Sequence, residues 1–370
     1  MEAKYEIDKL LLPMKEMMAT DLHLTAGEPP KYRIHGDLQP IPGQSVLTDE
    51  ALHKLLEPIV LPEQWQRFLR EHDFDFAHAI PGYARFRTNF YFHRNGIGAV
   101  FRMIPEQMMS FDELGLPNSV LQFVEIGTGL VLVTGPTGSG KTTTLASIID
   151  YINEHYKRHI ITLEEPIEFV HQHKNSIITH REVGLHTHSF ANALRSAMRM
   201  DPDVILVGEM RDTETISLAL TCAEMGILVF GTLHTNSASK TVDRIVDVFP
   251  AVEQARIRTM LAGSLRGVIA QQLLRRCDKP GRIAAFEILV VDSAISSLIR
   301  SGQAAKIPSA IQAGGSKGMQ TMDSHIMRLF QRGIISGEEA YQKAFEKAQF
   351  EQYWRFGDEK ATEATAAKTQ

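Results

Sequence analysis

The sequence predicts an α/β chain in three parts. A small α+β domain occupies residues 1–105, a domain built on a mainly parallel sheet occupies 118–290, and a helical segment fills 291–357, with a linker at 106–117. Three observations carry this reading. Short alternating runs separated by Gly, Pro and Asn turns fill the first hundred residues. Near-continuous apolar runs alternate with helical periodicity beyond the linker. A strand, a glycine-rich turn and a helix follow one another directly over 129–149.

In chain order, Ile7, Leu10, Leu11, Met14 and Met17 recur at helical spacing, so an opening helix is expected over Tyr5–Met18. Asp21–Leu24 and Tyr32–His35 alternate and read as a hairpin with Gly36–Asp37 at a turn. A helical segment follows around Asp49–Arg70. Phe74–Ala77, Tyr83–Phe92 and Gly98–Ile104 then read as short strands joined at Pro81–Gly82 and Asn95–Gly96. Pro105–Pro117, with Ser110 and Gly115 as further breakers, is the expected linker. Val131–Thr134, His159–Leu163, Val204–Val207 and Leu228–Thr232 have the unbroken apolar character of strands covered on both faces. Thr241–Phe249, with Val242, Ile245, Val246 and Phe249, reads as an amphipathic core helix. From Val291 on, Ser293–Ser301, Thr321–Arg332 and Ser336–Phe345 are helical, and the small polar residues 358–370 predict a disordered tail.

Composition narrows the function. The chain has 370 residues, 44% of them hydrophobic and 22% charged, which suits a water-soluble globular protein. It holds nothing near the ~20 consecutive apolar residues of a membrane span, and no apolar signal core at its start. Two cysteines, Cys222 and Cys277, make no disulfide framework, so a reducing cytoplasm is expected. A net charge of −5 gives no global basic footprint, and no direct nucleic-acid partner is expected.

Gly135-Pro136-Thr137-Gly138-Ser139-Gly140-Lys141-Thr142 matches the phosphate-loop consensus at every required position, and Thr143 continues it into the helix. Its glycines let backbone N–H groups turn inward on phosphates at the positive end of a helix. Lys141 offers a mobile charge to the outer phosphates, and the Thr142 hydroxyl can hold Mg²⁺ of a bound ATP. Asp203–Asp212 is a buried strand whose end delivers Glu209 to the edge where ligands bind in α/β sheets. Phosphate-loop enzymes commonly carry an Asp where Gly208 stands. Glu209 can orient water or join a metal shell; a helix-capping acid is the plainer reading. Ile160–Glu168 is a strand ending in acids before Pro166, with Glu164 placed to orient or deprotonate water, or simply a solvated strand end. Phe230–Asn236 ends in His234, Thr235 and Asn236, polar groups fit to sense a γ-phosphate, or a capping histidine. His171, His173, His180, His186 and His188 match no compact zinc template and read as a solvated polar loop.

Taken together, the phosphate loop, Glu164-Glu165-Pro166-Ile167-Glu168, Arg195–Arg199, Gly208–Asp212 and Gly231–Asn236 resemble the secretion ATPase superfamily, and within it the retraction ATPases of type IV pili (the PilT type). The resemblance extends from Asp21–Leu24 to Gly318–Asp323. It implies a PAS-like N-terminal domain, a RecA-like ATPase domain, ATP with Mg²⁺ expected between them, and a homohexamer. It also implies a cytoplasmic motor, peripheral at the inner-membrane base of the pilus, acting on a platform protein of the PilC type. By the same resemblance Glu164 falls in the acidic box, Glu209 at the Walker B position and His234 in the histidine box. Arg87 and Arg102 match the family's phosphate-contacting arginines. On their strands they can neutralise phosphoryl charge, or pair with an acid as surface arginines do.

Two departures stand out. Glu165 replaces the family's Asp, and Ala294-Ile295-Ser296-Ser297-Leu298 stands where the retraction type carries Ala-Ile-Arg-Asn-Leu. The second leaves open a PilU-type accessory relative, which would make a paralogous retraction ATPase a partner. Cys277 alone cannot form the four-cysteine zinc module of the assembly ATPases, which disfavours an assembly motor. In other classes, a nucleic-acid translocase and an ATP-binding ring scaffold remain as alternatives.

Overall fold

A computed structural model describes residues 3–34, 36–104 and 108–355. His35, residues 105–107 of the domain boundary and everything from 356 on, including the expected tail, lie outside the described residues. Its contacts divide the chain into two units, Met1–Met108 with Glu165–Val170, and Met109–Glu164 with His171–Gln370. The chain thus leaves the second unit after Glu164 and re-enters it at His171.

The first unit opens with helix α1 (Asp8–Leu11), far shorter than the periodicity predicts. A single 3₁₀ turn follows at Leu12–Met14, because Pro13 has no N–H to continue an α-helical ladder. Strands β1 (Ala19–Thr25), β2 (Lys31–Ile34) and β3 (Asp37–Pro40) come next. The one helical segment expected over 49–70 is two helices, α2 (Asp49–Leu56) and α3 (Pro62–Glu71). Pro58 and Pro62 interrupt it, and Thr48 caps α2 by accepting the Ala51 N–H. Strands β4 (Asp73–Ile80), β5 (Ala84–His93) and β6 (Gly96–Ile104) complete a six-stranded antiparallel sheet in the order β3-β2-β1-β6-β5-β4. Along β5, Phe86, Thr88 and Phe90 point into a core with Leu22, Phe101, Trp65 and Phe68. Period-two alternation therefore puts Arg85, Arg87 and Asn89 on the opposite face.

The second unit begins inside the expected linker. Ser110 and Glu113 form a capping box on α4 (Phe111–Leu114), and Leu116 is buried, so residues 109–117 are folded structure. There follow α5 (Leu121–Glu125), β7 (Gly129–Thr134), α6 (Lys141–His155), β8 (His159–Glu164), β9 (Ile177–Glu182), α7 (Phe190–Ala197), β10 (Val204–Val207), α8 (Thr213–Glu224) and β11 (Leu228–Leu233). Helices α9 (Ala238–Asp247) and α10 (Ala251–Ser264) lead to β12 (Leu265–Arg275) and β13 (Arg282–Val290). The chain closes with α11 (Ser293–Arg300), α12 (Ile307–Ala313), α13 (Met322–Gln331), α14 (Gly337–Lys343) and α15 (Glu351–Arg355).

The seven strands run in the order β13-β12-β7-β11-β10-β8-β9, all neighbours parallel except β12 and β13. Successive residues of β7 feed two cores. Leu130 and Leu132 pack with α7 to α12, whereas Val131 and Val133 pack with α5 and α6. Burying each such side chain stabilises the sheet by about 1.5–3 kcal/mol. The helical segment after residue 291 does not stand apart, because α13 and α14 form a further core with Leu274 of β12 and Ala285 of β13. Among the described residues no helix is long and apolar enough to cross a membrane.

Candidate nucleotide site

Parallel pairing puts the C-terminal ends of β7, β11, β10 and β8 side by side on one edge of the second unit's sheet. Each of the four strand ends carries one of the motifs. At ~4.8 Å per strand, β8 lies about 14 Å along the sheet from β7, and β10 about 10 Å.

The loop leaves β7 at Gly135 and enters α6 at Lys141. Gly135, Gly138 and Gly140 have φ of 152°, 77° and 88°, and Gly140 serves as the N-cap residue of α6. The turn therefore needs glycine at these positions. The Lys141 ammonium donates to the Gly135 carbonyl at 2.9 Å and the Pro136 carbonyl at 3.2 Å, folded back over the loop it belongs to. Pro136, Thr137 and Gly138 are exposed; Ser139 is buried; Thr142 and Thr143 are half-buried in the first turn of α6.

Behind the loop stands a residue that sequence reading missed. Gln271, in the middle of β12, donates from Nε2 to the Ser139 carbonyl at 2.5 Å and accepts at Oε1 from the Thr144 hydroxyl at 2.8 Å. No motif marks it, and its partners lie more than a hundred residues away in sequence.

At the end of β10, the Glu209 carboxylate is held by Arg211, with Oε1 2.5 Å from Nε and Oε2 2.6 Å from Nη2, and by His234 Nε2 at 2.9 Å from Oε1. Burial pushes the Glu209 pKa up, but the bonds and charge of Arg211 and His234 outweigh it and hold the acid below its ordinary value. The capping acid of this segment is Asp212, whose Oδ1 accepts the Thr215 N–H at 2.8 Å at the start of α8. Gly208, where many phosphate-loop enzymes carry an acid, sits close against the end of β8. A Cβ there would lie 3.0 Å from the Leu163 carbonyl oxygen and 3.4 Å from the Glu164 Cα. The Gly208 N–H also bonds that Leu163 carbonyl at 2.7 Å. A side chain at this position would therefore need the end of β8 to give by a few tenths of an ångström.

Glu164 ends β8 buried, and two members of the histidine stretch, His171 and His180, depart from the solvated loop that the sequence predicts. His171 is buried at 5% exposure, and His180 lies on β9, its ring stacked on that of His171 at 5.7 Å. The His171 N–H donates to His180 Nε2 at 3.1 Å, which leaves the ring proton on Nδ1. That Nδ1 faces the Thr162 hydroxyl at 2.8 Å and Glu164 Oε1 at 3.8 Å. β8 and β9 pair in register, Thr162 opposite His180 and Glu164 opposite Glu182, which brings these groups together. His173, His186 and His188 are exposed, and among the described residues no group of three or more His, Cys, Asp or Glu is arranged to hold a metal ion. Glu165 is exposed.

Thr235 and Asn236 follow His234 at the end of β11. The Thr235 and Thr241 hydroxyls are 2.7 Å apart, and the Ser237 side chain caps α9. The Thr232 hydroxyl donates to the Gly208 carbonyl at 2.5 Å, so the β10 and β11 ends are tied to each other.

In the first unit, Arg87 and Arg102 stand directly opposite each other on β5 and β6, and Asp21 of β1 is the next residue across from Arg102. Both arginines pair with acids: Arg102 Nε lies 2.8 Å from Asp21 Oδ1, and Arg87 Nη1 lies 3.5 Å from Glu168 Oε1. Like charges facing each other across strands are unfavourable, and here each guanidinium is offset by one of these acids. Arg85 donates to the Ile167 carbonyl at 2.9 Å.

The model of the Type II/IV secretion system protein family matches residues 77–342. A Pseudomonas aeruginosa protein described as a type IV pilus retractation ATPase, PilT, is 50% identical over 339 residues, covering 92% of this chain and 98% of its own length. A Neisseria gonorrhoeae twitching motility protein is 50% identical over 315 residues, 85% of this chain and 84% of its own. The crystal structure of a pilus retraction motor, PilT, with bound ADP superposes with a TM-score of 0.85 at 41% identity, covering 95% of this chain and all of that one. On this fold, these strand-end motifs and near-full-length identity, the chain belongs to the Type II/IV secretion system protein family.

Proposed function

We propose that the chain is a motor ATPase that couples ATP hydrolysis to retraction of type IV pili, and so to twitching motility. The observation that carries this is the convergence of the phosphate loop, Glu164, Glu209 and His234 on one edge of four adjacent parallel strands. Near-full-length identity to retraction and twitching proteins supports the pilus as the object moved.

The geometry supports a role for each residue. The loop's backbone N–H groups and Lys141 bind the phosphates, Lys141 exchanging its two loop carbonyls for phosphate oxygens. Mg²⁺ ordinarily keeps several waters and takes few protein ligands besides substrate phosphates, and the Thr142 hydroxyl with the ionised Glu209 fits that demand. When bound, the ion would neutralise charge on the phosphates. Glu209 keeps its charge through Arg211 and His234, and Arg211, 69% exposed, can swing away to free a carboxylate oxygen. Glu164 is assigned to the attacking water, which it orients or deprotonates. Arg87 and Arg102 are assigned to phosphate charge. We further propose a homohexamer, cytoplasmic and peripheral at the inner membrane, that works on a platform protein of the pilus base, with a paralogous retraction ATPase as a second partner.

Phosphate release by the purified chain tests the enzyme. Lys141→Ala and Glu209→Ala should abolish the release shown by the parent, and equal rates in all three would remove ATP hydrolysis from the proposal. Deletion and complementation test the motor. Loss of twitching with surplus surface pili supports it, and unchanged retraction would refute it.

A further inference from the structure

We infer that Gln271 is a positioning residue of the phosphate loop, whose side-chain amide fixes the plane of the Ser139–Gly140 peptide and thereby aims the Gly140 N–H into the phosphate site. The inference rests on the reading of that loop as a nucleotide site.

Gln271 is 2% exposed, within a strand whose neighbours Val268, Ile269, Ala270 and Leu274 are apolar and buried. A buried amide is costly unless both its ends are bonded. Here both partners belong to the loop and the helix it feeds: Nε2 donates to the Ser139 carbonyl at 2.5 Å, and Oε1 accepts from the Thr144 hydroxyl at 2.8 Å. The amide orientation is settled by chemistry. The Ser139 carbonyl only accepts, so a flipped amide would set two oxygens against each other.

A trans peptide is planar, with its C=O and N–H on opposite sides. Pinning the Ser139 oxygen toward β12 therefore turns the Gly140 N–H away from β12, toward the hollow of the loop. Gly140, at φ 88°, has conformational freedom that would otherwise let this peptide rotate. The backing is close at both ends of the turn. A Cβ on Gly135 would lie 2.3 Å from the Gln271 carbonyl oxygen, and one on Gly140 3.0 Å from Gln271 Nε2. β12 is thus the surface on which the loop is moulded, and Gln271 is the point of contact. The loop's own charged group, Lys141, is bonded to Gly135 and Pro136. Glu287 pairs with Ala270 on β13, and so faces the other side of the sheet from Gln271, which pairs with Phe286.

The test uses the full chain with ADP as probe, measuring the dissociation constant by calorimetry and kcat and KM for ATP by phosphate release. Gln271→Met keeps the length and removes the amide. Its ADP affinity should fall by about tenfold, the range set by one buried hydrogen bond left unmade, with KM rising by a similar factor. Gln271→Glu separates positioning from mere packing. As a carboxylate it cannot donate to Ser139, and at pH 8 it should bind ADP as weakly as Gln271→Met. Once protonated it can donate, so at pH 5.5 its affinity relative to the parent at the same pH should recover about fivefold or more, while Gln271→Met shows no such recovery. Should the Gln271 variants fail to fold, Thr144→Val removes only the anchor on Oε1 and should weaken ADP binding about threefold or more. ADP affinity of Gln271→Met or Thr144→Val equal to the parent's, or no relative recovery by Gln271→Glu at low pH, would overturn the inference while leaving the nucleotide site standing. A parent chain that binds ADP no better than Lys141→Ala would overturn the nucleotide reading itself, and this inference with it.

Discussion

Glu209→Gln separates the electrostatic work of the site from its architecture. The glutamine keeps the length of the side chain and one accepting oxygen, and discards the charge. In the folded chain that charge meets Arg211 at 2.5 Å and His234 at 2.9 Å, but Arg211 and His234 are 69% and 46% exposed, so water screens much of what the pairs contribute. Losing them should cost about 0–1 kcal/mol of stability, a melting shift of no more than about 4 °C for a unit of this size. Under the proposed role catalysis is affected differently, because a charge that serves the metal and the transferred phosphoryl acts in the transition state. Removing it should lower kcat by about 10²–10³-fold, or ~3–4 kcal/mol. The Glu209 pKa is depressed, so its contribution is fully present above the ordinary carboxylate value and is lost only as pH falls through the lower, folded value. Phosphate release at pH 7.5 under saturating ATP therefore compares charged with neutral. A kcat within about threefold of the parent, less than 1 kcal/mol of barrier, would refute the assignment of Glu209 to the reacting centre. A melting point lowered by much more than about 4 °C would show that the residue holds the fold instead.

Three further outcomes follow. Gly135→Ala places a Cβ 2.3 Å from the Gln271 carbonyl oxygen at φ 152°, so ADP binding measured by calorimetry should weaken by at least about tenfold, one unmet contact of ~1.4 kcal/mol or more. His325 is held neutral, with burial first and the Arg328 charge second pushing its pKa down to about 4 from 6.5. Its depressed value means stability that is complete above pH 6.5 and declines toward pH 4, by up to about 3 kcal/mol. Urea titrations at pH 7.5 and 5 should show this loss, and His325→Gln should flatten it. Gly267→Ala drives a Cβ to 2.2 Å from the Phe123 ring and 3.0 Å from the Leu289 carbonyl oxygen, an overpacking that should cost about 1–3 kcal/mol in the same titration.

The strands legible in the sequence are those buried on both faces. β7, β8, β10 and β11 occupy the middle of the sheet and read as unbroken apolar runs. β9 escaped notice because it is an edge strand, with Ile177 exposed and Thr179, His180 and Arg181 interrupting any pattern. β12 was hidden for another reason. Arg266, Gln271, Gln272 and Arg275 break its apolar run, and two of them answer to a local demand, Gln271 to the phosphate loop and Arg266 to the Gly263 carbonyl at 2.7 Å. Helix lengths were overread wherever a proline sat inside a periodic stretch, as at Pro13, Pro58 and Pro62. Apolar spacing reports which face is buried, but the missing N–H decides where the ladder stops.

The candidate site was legible wherever a strand ended abruptly in polar residues, since a parallel sheet collects such ends on one edge. What could not be read from spacing is how two carboxylates on that edge come to differ. Glu209 meets a guanidinium and an imidazole, both oxygens engaged, and stays an anion suited to a metal shell. Glu164 meets instead the His180 ring, whose Nδ1 lies 3.8 Å from its Oε1 and 2.8 Å from the Thr162 hydroxyl, while Nε2 faces the His171 backbone. A partner bonded to Glu164 would tie up the lone pair that a water-activating group needs, and one at 3.8 Å, beyond hydrogen-bonding distance, does not. Here the division is made by residues that the sequence shows only as a scatter of histidines and an arginine two places down the chain from Glu209. That contrast is the physical support for the proposal that Glu209 joins a metal shell while Glu164 handles the water.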